Sequence, residues 1–124
     1  MNALGIHLLL ELRECDQHLL DDLTYIREVM VSTADEVGAT IVGEAFHKFS
    51  PQGVTGVVAI SESHFCIHTW PEHRYAAVDV FTCGATVDPY QAAELIIQRL
   101  DCKDPSITEV KRGVIPQPAQ SSRS

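Results

Sequence analysis

Apolar residues recur at every second position over residues 3–12, with Leu4, Ile6, Leu8, Leu10 and Leu12 on one side and Gly5, His7, Leu9 and Glu11 on the other. That alternation predicts a strand with one purely apolar face. After Asp16, which suits an N-cap, the period lengthens: Leu19, Leu23, Ile26, Met30, Ala34 and Val37 step by three and four, and Gly38 closes the run. One amphipathic helix is predicted there. Residues 39–49 and 54–60 are β-rich and flank "SPQG", so they predict a hairpin. Two more strands, 64–70 and 74–83, are joined by "PEHR". A second helix begins at "DPYQ", with Asp88 as cap, Pro89 at the first helical position and Gln91 placed as in a capping box. Its stripe is Ala93, Ile96, Ile97 and Leu100. A strand at 106–111 and a polar tail, 116–124, complete the chain, the tail being expected to be disordered. The order βαββββαβ predicts an α+β fold, a two-layer sandwich with a largely antiparallel sheet and two helices on one face.

The uncovered face must then meet solvent or a partner. Alternation puts His64, Cys66, His68 and Trp70 on that face from one strand, and Tyr75, Ala77, Asp79, Phe81 and Cys83 from the next. With His7, Glu11 and Thr55, these residues are too polar for a dry core and too aromatic for ordinary solvent exposure. The mixture points to a pocket lying against a second subunit. A single strand histidine is ordinarily a hydrogen-bonded structural residue, and Cys66 and Cys102 suit small buried positions. The concentration in "SESHFCIHTWPE", residues 61–72, resists that explanation. Three chemistries fit its residue types. His64, Cys66, His68 and Cys83 form a metal-ligand set. Cys83, His68 and Asp79 form a nucleophile, base and orienter. The third rests on the bond between Glu62 and Ser63.

Composition narrows the setting. The chain has 124 residues, 45% hydrophobic and 21% charged, enough for one domain, 1–124, with a modest core. Nine basic against seventeen acidic residues give a formal charge of −8, with the acids dispersed, which argues against nucleic acid as a partner. No apolar run has the length of a membrane span, and the start "MNALGIHLLLELRE" lacks the pattern of a secretory signal, so the cytoplasm is the expected compartment. The four cysteines form no C-x-x-C pair and are expected as free thiols.

Five stretches, "LGIHLLLELRECD" (4–16), "GATIVGEAFHKFSPQGVTGVV" (38–58), "SESHFCIHTWPE" (61–72), "YAAVDVFTCG" (75–84) and "VDPYQA" (87–92), resemble the short, pyruvoyl-dependent S-adenosylmethionine decarboxylases of prokaryotes. The resemblance implies self-cleavage before Ser63, whose hydroxyl attacks the carbonyl of Glu62. It leaves a β chain of 1–62 and an α chain of 63–124 that opens on a pyruvoyl group made from Ser63. By the same resemblance, His68 is the proton acceptor and Thr55 the assisting hydroxyl in processing, at a position where the family usually carries serine. Cys83 is then the proton donor in decarboxylation, with His68 nearby. The substrate amine would be held as a Schiff base on the pyruvoyl carbonyl, with no pyridoxal phosphate and no metal. Phe49 is expected to stack on adenine, with Trp70 and Glu72 in the same pocket. The implied activity is release of CO2 from S-adenosylmethionine for spermidine and other polyamine synthesis, by a homodimer of αβ units packed as four αββα layers. Arginine or ornithine, used by pyruvoyl enzymes of the same fold, is the alternative substrate.

Overall fold

The computed structural model describes residues 3–61, 63–84 and 86–116. Six strands, β1 (Ala3–Arg13), β2 (Ile41–Lys48), β3 (Val54–Ile60), β4 (Ser63–Trp70), β5 (Tyr75–Cys83) and β6 (Asp104–Val114), form one sheet in the order β2-β3-β4-β5-β1-β6, and every pairing is antiparallel. Three helices, α1 (Gln17–Leu20), α2 (Leu23–Glu36) and α3 (Pro89–Arg99), accompany it. The two-layer α+β sandwich is therefore as expected. Its core lies between sheet and helices, where Leu8, Leu10, Leu12, Phe65, Ile67, Val78 and Val80 of the strands meet Ile26, Met30, Ala34, Ala93 and Ile96 of the helices, all essentially without solvent contact.

The single helix expected after Asp16 is instead two. Asp16 caps α1 by accepting the His18 and Leu19 N–H groups, and Asp22 caps α2 by accepting from Tyr25. Between them, Asp21 turns its carboxylate to the Gly53 N–H, 2.9 Å away, and to Lys48 Nζ at 3.0 Å, which together hold it below the usual carboxylate range. The break thus ties the helical layer to the turn between β2 and β3. Thr69 reinforces that tie from below: its buried hydroxyl donates to the Leu20 carbonyl and accepts the Val54 N–H, each at 2.8 Å. The expected strand 106–111 extends to Asp104–Val114 because its whole length pairs with β1. Leu4, expected on the apolar face, is 66% exposed, since the helices do not reach that end of β1. The "PEHR" turn contains a short 3-10 helix, Pro71–His73, closed by Arg74 in the left-handed region at φ 53°. Of the expected disordered tail, residues 117–124 lie outside the described residues. Gly56 has to be glycine, because a Cβ there would stand 2.2 Å from the Phe46 ring that packs across it.

Candidate active site

Because the strands pair antiparallel and in register, side chains of one parity stand in rows across the uncovered face. One row runs His47, Thr55, His68, Ala77, Glu11. The next runs Ala45, Val57, Cys66, Asp79, Leu9, and the third carries Ala59, His64, Phe81 and His7. Cys83 lies beyond, opposite Gly5. All the free-face residues expected from alternation are on this face, but the rows distribute them along the whole length of β5, from Tyr75 to Cys83.

At the end nearest the Pro71–His73 turn is a cleft of about 330 Å³ whose lining includes Phe49, Thr55, His68, Trp70 and Glu72. These five were expected to act in processing or substrate binding, and they converge although they come from three separate stretches of chain. Thr55 Oγ1 and His68 Nδ1 are hydrogen-bonded at 3.0 Å. The Trp70 indole leans on His68 at 6.4 Å between centroids and on Tyr75 at 5.3 Å. His47 packs edge-on against Phe49 at 4.6 Å, fixing a ring that is otherwise 47% exposed. Below Trp70, Tyr75 donates its hydroxyl to Glu11 Oε1 at 2.6 Å, and burial, with that bond second, pushes its pKa up to about 12. Sequence alone gave Tyr75 no role. Its place beneath Trp70 follows from the β4–β5 register, in which the two are paired. A shallower hollow of about 260 Å³ adjoins the cleft, sharing Thr55 and His68 and continuing over Val57 and Cys66.

Ser63 and Cys83 stand at the opposite end. Ser63 opens β4, half-buried and paired with Ile60, the last residue of β3; Glu62 lies outside the described residues. The last described β4–β5 pair is His64 with Phe81; one step further the register sets Ser63 opposite Thr82, so Cys83 stands diagonal to Ser63 at the same end of the sheet. At about 3.3 Å per residue, His68 is roughly 16 Å from Ser63 along β4. By the same rise, Cys83 is roughly 20 Å from Ala77, the partner of His68. The expectation that His68 lies near Cys83 therefore fails within one protomer: shared parity places two residues on a face and says nothing of how far apart they stand along it.

Between the two ends, Arg112 of β6 donates to His7 Nδ1 at 3.2 Å, so the ring's own proton sits on Nε2. That buried Nε2 has no hydrogen-bond partner among the described residues, with Asp79 Oδ1 3.5 Å away. Arg112 also lies over the Phe81 ring, 5.9 Å from its centroid. The sequence pattern did not reveal Arg112, because its position depends on the β1–β6 register.

Neither of the other two chemistries is assembled here. Among the described residues no three His, Cys, Asp or Glu side chains gather closely enough to hold a metal ion. The hydrolytic set is dispersed too, since Asp79 pairs opposite Cys66 and faces His7 while Cys83 lies two rows beyond Asp79 and three beyond His68. Burial, followed by the charge of Asp79, raises the Cys66 thiol pKa, which suits a structural residue.

Residues 6–113 match the family model described as S-adenosylmethionine decarboxylase. The S-adenosylmethionine decarboxylase proenzyme of Thermodesulfovibrio yellowstonii is 53% identical over 115 residues, covering 93% of this chain and 85% of the relative. That of Acetivibrio thermocellus is 54% identical over 120 residues, 97% of each chain. Among solved structures, the adenosylmethionine decarboxylase from Aquifex aeolicus superposes with a TM-score of 0.88 at 34% identity, over 96% of this chain and 98% of that one.

Proposed function

The chain belongs to the S-adenosylmethionine decarboxylase family, and from that premise we propose that it cleaves itself before Ser63 and decarboxylates S-adenosylmethionine with the pyruvoyl group so formed. The observation that carries this is the convergence of Phe49, Trp70, Glu72, Thr55 and His68 on one cleft, in a chain more than half identical to proteins named as proenzymes. Arginine or ornithine is the weaker alternative. Two aromatic rings and a single carboxylate suit a flat base and ribose hydroxyls better than a guanidinium, which would call for paired acids.

The residues present fit a serine-derived group. Ser63 begins a strand directly after a tight reversal, where its backbone pairs with Ile60. Its hydroxyl adds to the preceding carbonyl, and the bond to nitrogen yields to an ester. A base then removes the Ser63 Cα proton. In the tautomer in which His68 Nδ1 donates to Thr55 Oγ1, the Nε2 lone pair is free for that task. Threonine keeps the hydroxyl that this partnership needs. A pyruvoyl carbonyl conjugated to its amide supplies the electron withdrawal that lets CO2 leave. Cys83, at the same end of the sheet as Ser63, then delivers a proton to the substrate α-carbon, and its position decides that this carbon receives it. Phe49 stacks on the adenine and its positive sulfonium neighbour, while Glu72 accepts from the ribose.

Both ends of the face must act on one substrate, so the site closes between two copies. Under a two-fold packing of free face on free face, the Ser63–Cys83 end of one protomer meets the Thr55–His68 end of the other, and each contact occurs twice. The unpartnered His7 Nε2 and the exposed Trp70 and Phe49 rings support a covered face. The homodimer, two αβ units in four αββα layers, is thus part of the proposal.

Parallel assays of CO2 release from S-adenosylmethionine, arginine and ornithine test the substrate. Release from S-adenosylmethionine is expected to dominate. Phe49→Ala should weaken its binding by ~1–3 kcal/mol, the range for loss of a base-stacking ring. Preferred release from arginine would overturn the substrate assignment.

A further inference from the structure

Away from the site, where β1 leaves the sheet, two thiols occupy the same corner. Cys15 is completely buried and Cys102 half-buried against the core. The backbone holds them opposite each other. Asp16 N–H donates to the Leu100 carbonyl at 3.3 Å and Lys103 N–H to the Glu14 carbonyl at 3.2 Å, so Cys15 faces the Asp101–Cys102 pair between two bracketing hydrogen bonds. Asp101, left-handed at φ 53°, takes up the extra residue of this irregular pairing. The thiols point to consecutive carbonyls of one strand, Cys15 Sγ to Leu12 at 3.5 Å and Cys102 Sγ to Arg13 at 3.0 Å. Burial first, then the neighbouring Cys102 thiol, raises the Cys15 pKa to about 12. Directly opposed residues of a regular antiparallel pair stand ~4.5–5.5 Å apart at Cα, within the ~4.4–6.8 Å span that a disulfide requires.

We propose that Cys15 and Cys102 form a reversible disulfide under oxidising conditions, and that in the processed protein this bond joins the two chains covalently. The second half rests on the cleavage before Ser63 proposed above, which puts Cys15 on the 1–62 chain and Cys102 on the 63–124 chain. The oxidant is a small disulfide such as oxidised glutathione. The half-buried Cys102, as thiolate, attacks one of its sulfurs and releases one small thiol. Cys15, deprotonated in turn, attacks the Cys102 sulfur and expels the second. Two protein thiols become one disulfide, and one small disulfide becomes two thiols. The buried, protonated Cys15 makes the second step the slower, so crosslinking quickens as pH rises. β1 lies between β5 and β6, strands of the other chain, so the bond fastens the sheet where cleavage leaves only non-covalent pairing.

The test treats purified protein with oxidised glutathione, alkylates the remaining thiols in denaturant and compares electrophoresis with and without reductant. One band of full chain mass without reductant and two with it are expected. Alkylated cysteines should fall from four to two, and Cys102→Ser should run as two bands in both lanes with unchanged basal turnover. Two bands without reductant and four alkylated cysteines overturn the pair, as does Cys102 capped by glutathione beside a free Cys15. A single band that persists with reductant signals failure of the cleavage reading alone. Recovery or absence of a Cys15–Cys102 linked peptide then decides the disulfide.

Discussion

Ser63→Ala is expected to remain one chain and to release no CO2 from S-adenosylmethionine. The substitution removes one oxygen from a half-buried strand-opening position paired with Ile60, so the sheet has no reason to change. The chemistry has every reason to. Without a hydroxyl there is no ester, without the ester no elimination, and without elimination no ketone to hold the substrate amine. The loss is of the whole rate enhancement rather than a fraction of it, and electrophoresis with a CO2 assay reads both halves. An Ser63→Ala protein that still splits or still turns over would remove Ser63 from the account.

Cys83→Ala should separate the two stages. The thiol takes no part in the acyl shift, so the variant is expected to cleave into the two chains at the wild-type position. Decarboxylation should then fall by roughly 10²–10⁴, the loss typical of a missing proton donor or acceptor. Unimpaired turnover would dismiss the thiol. The same variant probes the two-copy site, because Cys83 acts from one end of the face and the Phe49–Glu72 cleft from the other. Coexpressed with a Phe49→Ala, Glu72→Ala double variant, it should regain turnover, since one of the two sites in a mixed dimer is intact. No gain over either variant alone would confine the whole site to one protomer.

Much of this was legible before any coordinates. Strict alternation in β1 and in residues 64–83 identified the face that carries the chemistry, and Asp88 with Pro89 marked the start of α3. What sequence pattern did not give was position along the strands. Parity is a local property, whereas register is set by where each hairpin reverses. Counting outward from the Pro71–Arg74 reversal pairs His68 with Ala77 and leaves Cys83 far along β5. That count was available from the sequence and would have separated the two ends of the site. Arg112 was out of reach, because β6 pairs with β1 across the whole chain and no turn fixes its register. The break at Asp21 was hidden for a similar reason: the apolar stripe runs through it, and what stops the helix is a carboxylate bound to Gly53 and Lys48, distant in sequence.

The claim on which the rest depends is that the protein makes its own ketone. Intact mass of the purified wild-type chain measures it directly. The account predicts two fragments, residues 1–62 and a second beginning at position 63, the latter lighter by one ammonia than a chain opening on serine, as a pyruvoyl group requires. A single uncleaved chain, or a second fragment that keeps its terminal amine, would contradict it.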